Sequence, residues 1–374
     1  MCQYQTFDLL AMTIYSTFGI LGIIRKVSVI LLAILLALSY QAIKPPPPKI
    51  CGSSGGPPVT SSRIKLRDGR NLSYIETGVP KDKVLHKIIF LHGLDSCKYN
   101  SFPISQEVMD EFGIYMASFD RAGYGESDPD PNRSVKSNAQ DVEELADELD
   151  LGSKFFVIGY SMGGAFAWGC LKYFPHSFFK NGLWNDGRLA GAALVAPVSN
   201  YWWPNFPSNL TKDVFSQEIV RDQWAYRVAH YAPWLTYWWN TQKWFPSSSL
   251  LAPHSDIFST QDRDILPKLA GRIHNKEQAR QQGEFGSLHC DMNIGFGSWE
   301  FDPMDLQNPF SNSEGSVHLW HGTEDRMVPV YLSRYISQKL AWVQYHELQN
   351  TGHMFPLADG WSDPIFKALV TGNQ

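Results

Sequence analysis

Three short stretches carry residue types that can do chemistry together. Ser161 sits in Gly159-Tyr160-Ser161-Met162-Gly163, after the apolar run Phe155-Phe156-Val157-Ile158 and before Ala165-Phe166-Ala167-Trp168, which reads as a helix. A serine hydroxyl is a weak nucleophile until a base takes its proton. The flanking glycines permit a strained strand-to-helix turn, a nucleophile elbow, that lifts the hydroxyl above a sheet. The helix N-terminus behind it adds a positive dipole beside any developing oxyanion.

Such an elbow needs an acid and then a histidine further along the chain. Asp325 in WHGTEDRMVP and His353 in LQNTGHMFP each follow a strand-like segment. Both fall where open α/β sheets bind their ligands, on loops after strands. His353 is expected to take the Ser161 proton and return it to the leaving group. Asp325 is expected to orient the imidazole and stabilise its charged form. Glu324 is the rival acid. The expected oxyanion donors are the backbone N–H groups of Met162, next after the nucleophile, and Leu94, in the HGLDS loop. His92 is expected to make a loop contact, and His318, His321 and His346 to serve the sheet or the surface.

These residues must be positioned by a regular scaffold, and the sequence supplies one. RIKLRDGRNLSYIETG reads as two short strands about the turn Asp68-Gly69. HKIIFLHG, IYMASF, KFFVIGY, LAGAALVAP, SVHLWHG and VQYHELQN read as further strands. NAQDVEELADELD has helical spacing, with Val142, Leu145, Ala146 and Leu149 on one face and Asn138 able to cap its start. Continuous apolar strands alternating with helices predict a mostly parallel sheet covered on both faces.

That rhythm stops between about Ser199 and Ser313. Seven of the 13 tryptophans fall between Tyr201 and Phe245. The stretch reads as a mainly helical cap over the C-terminal edge of the sheet. Its tryptophans could line an apolar acyl pocket, pack the cap's own core, or face lipid. His230, His254, His274 and His289 lack metal-ligand spacing, so no metal is expected.

Composition narrows the class. Of 374 residues 44% are hydrophobic and the net charge is -5, with no basic run of the kind nucleic acid attracts. Five scattered cysteines make neither a disulfide framework nor a zinc pair. Residues 27–43 form an uncharged apolar run behind Arg25-Lys26, and residues 7–24 a second one carrying Asp8. The pair reads as one single-pass membrane anchor, with a cleaved signal peptide and a buried helix pair as alternatives. An anchor would place the chain on a membrane of the endomembrane or secretory system. The sequons at Asn71, Asn132 and Asn209 would then matter if the body is lumenal. KPPPPKICGSSGGPPVTSS reads as a linker, stiff in its prolines and flexible in its Gly-Ser part. The expected division is anchor 1–44, linker 45–62, catalytic core 63–198, cap 199–312 and core again 313–374.

The set HGLDS, DRAGYGESD, GYSMGG, HGTEDRMVP and GHMFP resembles the α/β-hydrolase superfamily. The linker behind one apolar segment, together with GFGSWEFDPMDL, is similar to a group of membrane-anchored plant α/β-hydrolases. The resemblance implies an α/β fold with an eight-stranded, mostly parallel sheet and a helical cap inserted after strand 6. It implies an esterase- or lipase-like serine hydrolase with the triad Ser161, Asp325 and His353, no cofactor, and a small-molecule ester or lipid-like substrate. Ser161 stands where epoxide hydrolases and dehalogenases of this fold carry aspartate. HGLD replaces the HGGG loop of hormone-sensitive-lipase-like enzymes. The same fold also serves small-molecule receptors with little turnover, and lyase- or peroxidase-like activities that use the same triad.

Overall fold

The structure, a computed structural model, describes residues 4–174, 187–252, 254–310 and 315–372, with side chains left out at 4–21 and 270–274. Cys2 and the His274 side chain therefore lie outside the described residues. The chain divides into two units, Met1–Pro45 and Pro46–Gln374.

In the first unit both apolar runs join one continuous helix, α1 (Tyr4–Ile43). Arg25 and Lys26 do not interrupt it, since long unbranched side chains are good helix formers. Its segment Gly22–Ile43, 22 residues, is long and apolar enough to cross a membrane.

The second unit is built on β1 (Arg63–Lys65), β2 (Asn71–Gly78), β3 (His86–Leu91), β4 (Ile114–Phe119), β5 (Phe155–Tyr160), β6 (Leu189–Val195), β7 (Ser316–Gly322) and β8 (Val343–Leu348). Among the described residues these form one sheet in the order β1-β2-β4-β3-β5-β6-β7-β8. β1 with β2 and β2 with β4 are antiparallel, and every pair from β4 onward is parallel. A parallel sheet is covered on both faces, and β3 shows why its strands are apolar throughout. Ile89 and Leu91 enter the core on one face, and Ile88 and Phe90 the core on the other.

Helix α2 (Gln106–Glu111) contributes Val108 and Met109 to the second of these cores. Helices α3 (Val135–Glu148) and α4 (Met162–Tyr173) fill the first, where Trp168 is fully buried. The cap of α3 corrects the sequence expectation. Ser134, not Asn138, holds the helix start: its hydroxyl accepts from Ser137 N at 3.0 Å, and its own N–H donates to Ser137 Oγ at 2.9 Å. Asn138 lies inside the first turn, its amide on Ser134 O at 3.3 Å.

Between β6 and β7 the chain leaves the sheet and forms α5 (Ser208–Gln217), α6 (Val220–Tyr231), α7 (Thr236–Thr241), α8 (Thr260–Ile265), α9 (Ala270–Ala279) and α10 (Cys290–Phe296). α11 (Val330–Lys339) and α12 (Ser362–Thr371) then cover the two faces of the last strands.

The Pro/Gly/Ser stretch at 45–62, expected as a linker with a flexible Gly-Ser part, is hydrogen-bonded to the body at several points from Lys49 onward. Lys49 N donates to Gln282 O at 2.9 Å and Cys51 N to Gln282 Oε1 at 2.8 Å. Cys51 is buried, and Thr60 N donates to Glu126 Oε2 at 3.0 Å. Prolines leave few conformations to lose, so a handful of such bonds suffices to order the segment.

Candidate active site

Ser161 lies between β5 and α4 with φ 56° and ψ −118°, a conformation that non-glycine residues avoid. The neighbouring backbone over-determines it. Ser161 N donates to Val195 O at 2.8 Å, and Ser161 O accepts from Val198 N at 3.1 Å. The glycines are required by close approach. A Cβ on Gly159 would meet Gly163 O at 2.4 Å, and one on Gly163 would meet Leu91 O at 2.0 Å.

The three residues expected to work together are in hydrogen-bond contact. Ser161 Oγ is 3.0 Å from His353 Nε2, and His353 Nδ1 is 2.7 Å from Asp325 Oδ2. Asp325 follows β7, and its Oδ1 accepts from the N–H groups of Met327 (2.9 Å) and Val328 (2.8 Å). His321 adds a ring nitrogen 3.2 Å from Asp325 Oδ2. Burial pushes the Asp325 carboxyl up, but the facing His353 and His321 rings outweigh it and hold the group well below the usual carboxylate range. Burial lowers the His353 pKa, yet the charge and hydrogen bond of Asp325, helped by Asp262, leave it above 6.5. The carboxylate fixes the ring with its proton on Nδ1, leaving Nε2 to accept from the serine. Glu324, the rival acid, is exposed.

Leu94 and Met162 line the cavity in front of Ser161. Their backbone N–H groups donate to no acceptor among the described residues. His92 is a buried loop contact, with Nδ1 2.8 Å from Gly93 O and Nε2 accepting from Arg121 N at 3.2 Å. Burial drives its pKa well down, with the Arg121 charge adding to the effect. His318 and His346 pair across β7 and β8 at 3.0 Å.

The cavity measures about 460 Å³ and has an apolar wall from the insert, including Tyr201, Tyr226, Leu250 and Phe296. Among the described residues no tryptophan lines it, so of the three alternatives for the tryptophans the acyl pocket falls away. Trp203 instead packs with Phe206 and Trp299 inside the insert.

Sequence reasoning missed several residues that hold the site. Asp262 on α8 accepts from the backbone of His353 and Met354. Its place in Ser259-x-x-Asp262 was legible as a capping box, but its reach to the histidine loop was not. Asp291 on α10 takes Arg121 in a bidentate pair (2.7 and 2.8 Å), together with Arg133 and the Tyr124 hydroxyl. Arg121 in turn donates to Gly93 O at 3.0 Å, next to Leu94.

A parallel sheet with a serine at a strand-to-helix elbow, and an acid and an imidazole after later strands, defines the α/β-hydrolase class. The chain belongs to the alpha/beta hydrolase family, whose model matches residues 88–364. A segment of 83 residues is 31% identical to sn-1-specific diacylglycerol lipase ABHD11 of Mus musculus, covering 22% of this chain and 27% of that protein. Among solved structures, a thermophilic esterase from Thermogutta terrifontis superposes with TM-score 0.52 at 18% identity, covering 84% of this chain and 100% of the esterase. A bromoperoxidase from Bacillus anthracis gives TM-score 0.52 at 15% identity, covering 82% and 99%. At these identities the two structures share the fold.

Proposed function

We propose that the chain is a serine hydrolase of the carboxylesterase or lipase kind, which cleaves an ester or related acyl bond of a lipophilic small molecule. The observation that carries this reading is the hydrogen-bonded line from Ser161 Oγ through His353 to Asp325, opening on a mostly apolar cavity. His353 Nε2 takes the hydroxyl proton while Ser161 Oγ bonds to the acyl carbon. The carbonyl electron pair moves to oxygen, where the N–H groups of Leu94 and Met162 receive it. The intermediate collapses, the alkoxide leaves with the proton from His353, and an acyl-Ser161 remains. Water, deprotonated by His353, attacks the acyl carbon; the bond to Ser161 Oγ then breaks, Oγ takes the proton from His353, and the acid is freed. Asp325 stays ionised throughout and steadies the imidazolium.

Apolar walls favour a lipophilic acyl or alcohol part, in keeping with the name of the mouse relative, a diacylglycerol lipase. Helix segment Gly22–Ile43 is proposed as a single-pass anchor, which would give the body access to esters dissolved in an endomembrane.

Fluorophosphonate labelling of the detergent-solubilised full chain tests this. Labelling in the wild type and none in Ser161→Ala is expected, followed by turnover across an ester chain-length series. A folded wild type that binds small molecules but neither labels nor turns over would give the site to a receptor.

A further inference from the structure

Helix α6 carries apolar residues on two faces, and among the described residues one of these faces is largely exposed. Ala225, Tyr226 and Ala229 are buried, and Tyr226 lines the cavity in front of Ser161. Val220, Trp224 and Tyr231 lie on the other side at helical spacing, 69%, 52% and 70% exposed. Beyond the helix Trp234 (61%), Trp244 (77%) and Phe245 (48%) extend the same character. Part of this surface is joined laterally: Trp224 lies 6.2 Å from Trp239, which stacks on Phe245 at 5.2 Å.

The exposure is built in rather than a consequence of a loose loop. Gln242 Oε1 accepts from Phe245 N, and its Nε2 donates to Phe245 O, both at 2.9 Å. Asp222, on the inner side of α6, accepts from Ser248 Oγ and Ser249 N, both at 2.7 Å. The turn carrying Trp244 is thus clamped to itself and to the helix. Holding large aromatic surface rigidly in water is unfavourable, and contiguous patches of this kind mark interaction sites.

The charges indicate what covers it. From Val220 to Phe245 the charged residues are Arg221, Asp222, Arg227 and Lys243, and Asp222 is buried at 2%. Exposed Asp256, beside His254, lines the same groove as Arg221 and Trp224. Trp and Tyr with Arg and Lys is the composition that suits the boundary of a bilayer, where rings enter the headgroup level and cations meet phosphates. The same chain carries a helix of membrane-crossing length. We infer that the outer face of α6, with the Trp244-Phe245 turn, docks into the headgroup region of a lipid bilayer. Tyr226 sits on the opposite side of the same helix, so docking brings the cavity to within about one helix diameter, roughly 10 Å, of the lipid. The inference stands whether or not the cavity hydrolyses esters.

Residues 1–167 contain no tryptophan, so indole fluorescence reports on the body alone. The full chain is reconstituted into vesicles of ordinary phosphatidylcholine, and of phosphatidylcholine brominated near the glycerol end of its acyl chains. Bromine quenching of the wild type is expected, and its loss in Trp224→Ser/Trp234→Ser/Trp244→Ser. A second variant, Val220→Glu/Phe245→Glu, keeps all three indoles and should also lose quenching, now by charge. Near-ultraviolet dichroism verifies that each variant is folded. Wild-type emission that bromine leaves unchanged, or quenching equal in wild type and both variants, overturns the inference. If the unquenched wild type were also dimeric, the face would belong to a second copy.

Discussion

Asp262, on the insert, carries the backbone of His353, on the body: its Oδ2 accepts from His353 N at 3.2 Å and its Oδ1 from Met354 N at 2.7 Å. The carboxylate is buried, and Gln261 Oε1 takes the preceding Gly352 N at 2.7 Å. Helix α8 therefore sets where the imidazole loop lies. Asp262→Asn keeps one acceptor and turns an amide group toward the other N–H. An imidazole displaced by a fraction of an ångström should lower kcat about 10- to 100-fold with little change in KM. The Asp262 charge also raises the His353 pKa, so the acidic limb of the kcat/KM profile should shift to lower pH. A variant that only lost folded protein would lower the rate without moving the limb.

Asp325→Asn separates orientation from bulk structure. In the proposed mechanism the neutral His353 is the base, so activity should rise with pH through an apparent pKa above 6.5. Removing the carboxylate deprives the imidazolium of its main stabilising partner and frees the ring to adopt the wrong tautomer. The rate should fall about ten-thousand-fold, as for comparable triads. The residual activity should titrate at lower pH than the wild type. A residual limb at unchanged pH would mean that Asp325 does not face the titrating group.

What was legible in the sequence was local. The elbow, the strand before it and the loops bearing Asp325 and His353 are each specified within a few residues, because strained turns and apolar runs write themselves into neighbouring positions. The helical insert was legible as a break in rhythm. What was not legible depends on distance along the chain. Asp262 meets its partners 91 and 92 residues later, and Asp291 meets Arg121 from 170 residues away. The contacts of the linker stretch were not legible because the partner of Cys51, Gln282, lies 231 residues beyond it. The tryptophans stayed open between pocket, insert core and lipid-facing surface for another reason. Composition says that a ring is apolar, but only the packing of α6 decides which face turns to the cavity and which outward.

Glu218 should make the stability of the insert depend on pH. Burial raises its carboxyl from 4.5 to about 8; the Tyr201 hydroxyl donating to it works against this, and nearby Asp222 and Asp325 work with it. Between those two values the folded chain holds a proton that the unfolded chain releases. Stability from this group is therefore present at low pH and is lost as pH rises, by up to about 1.4 kcal/mol per pH unit. Glu218→Gln keeps an acceptor for Tyr201 and cannot ionise. Urea midpoints of the two proteins should be similar near the lower value and diverge in favour of the variant toward the upper one. A difference that stays constant with pH would sink the assignment.

Arg121, Arg133, Asp291 and Tyr124 form a buried group with two cations and one anion. Such a group is sensitive to which member is removed. Asp291→Asn leaves two guanidiniums buried without a counter-charge and should cost about 3–5 kcal/mol. Arg133→Met removes the surplus cation, preserves the bidentate Arg121–Asp291 pair and fills the space with a flexible apolar chain. Its cost should be clearly smaller, although the bonds Arg133 makes to the Ala122 and Gly286 carbonyls are lost. The kinetic effects should rank the same way, because Arg121 anchors the Gly93 carbonyl beside the Leu94 N–H. Urea denaturation of both variants, with kcat measured under conditions where each is folded, decides the matter. Equal destabilisation by the two substitutions would mean that packing, not charge balance, holds the loop.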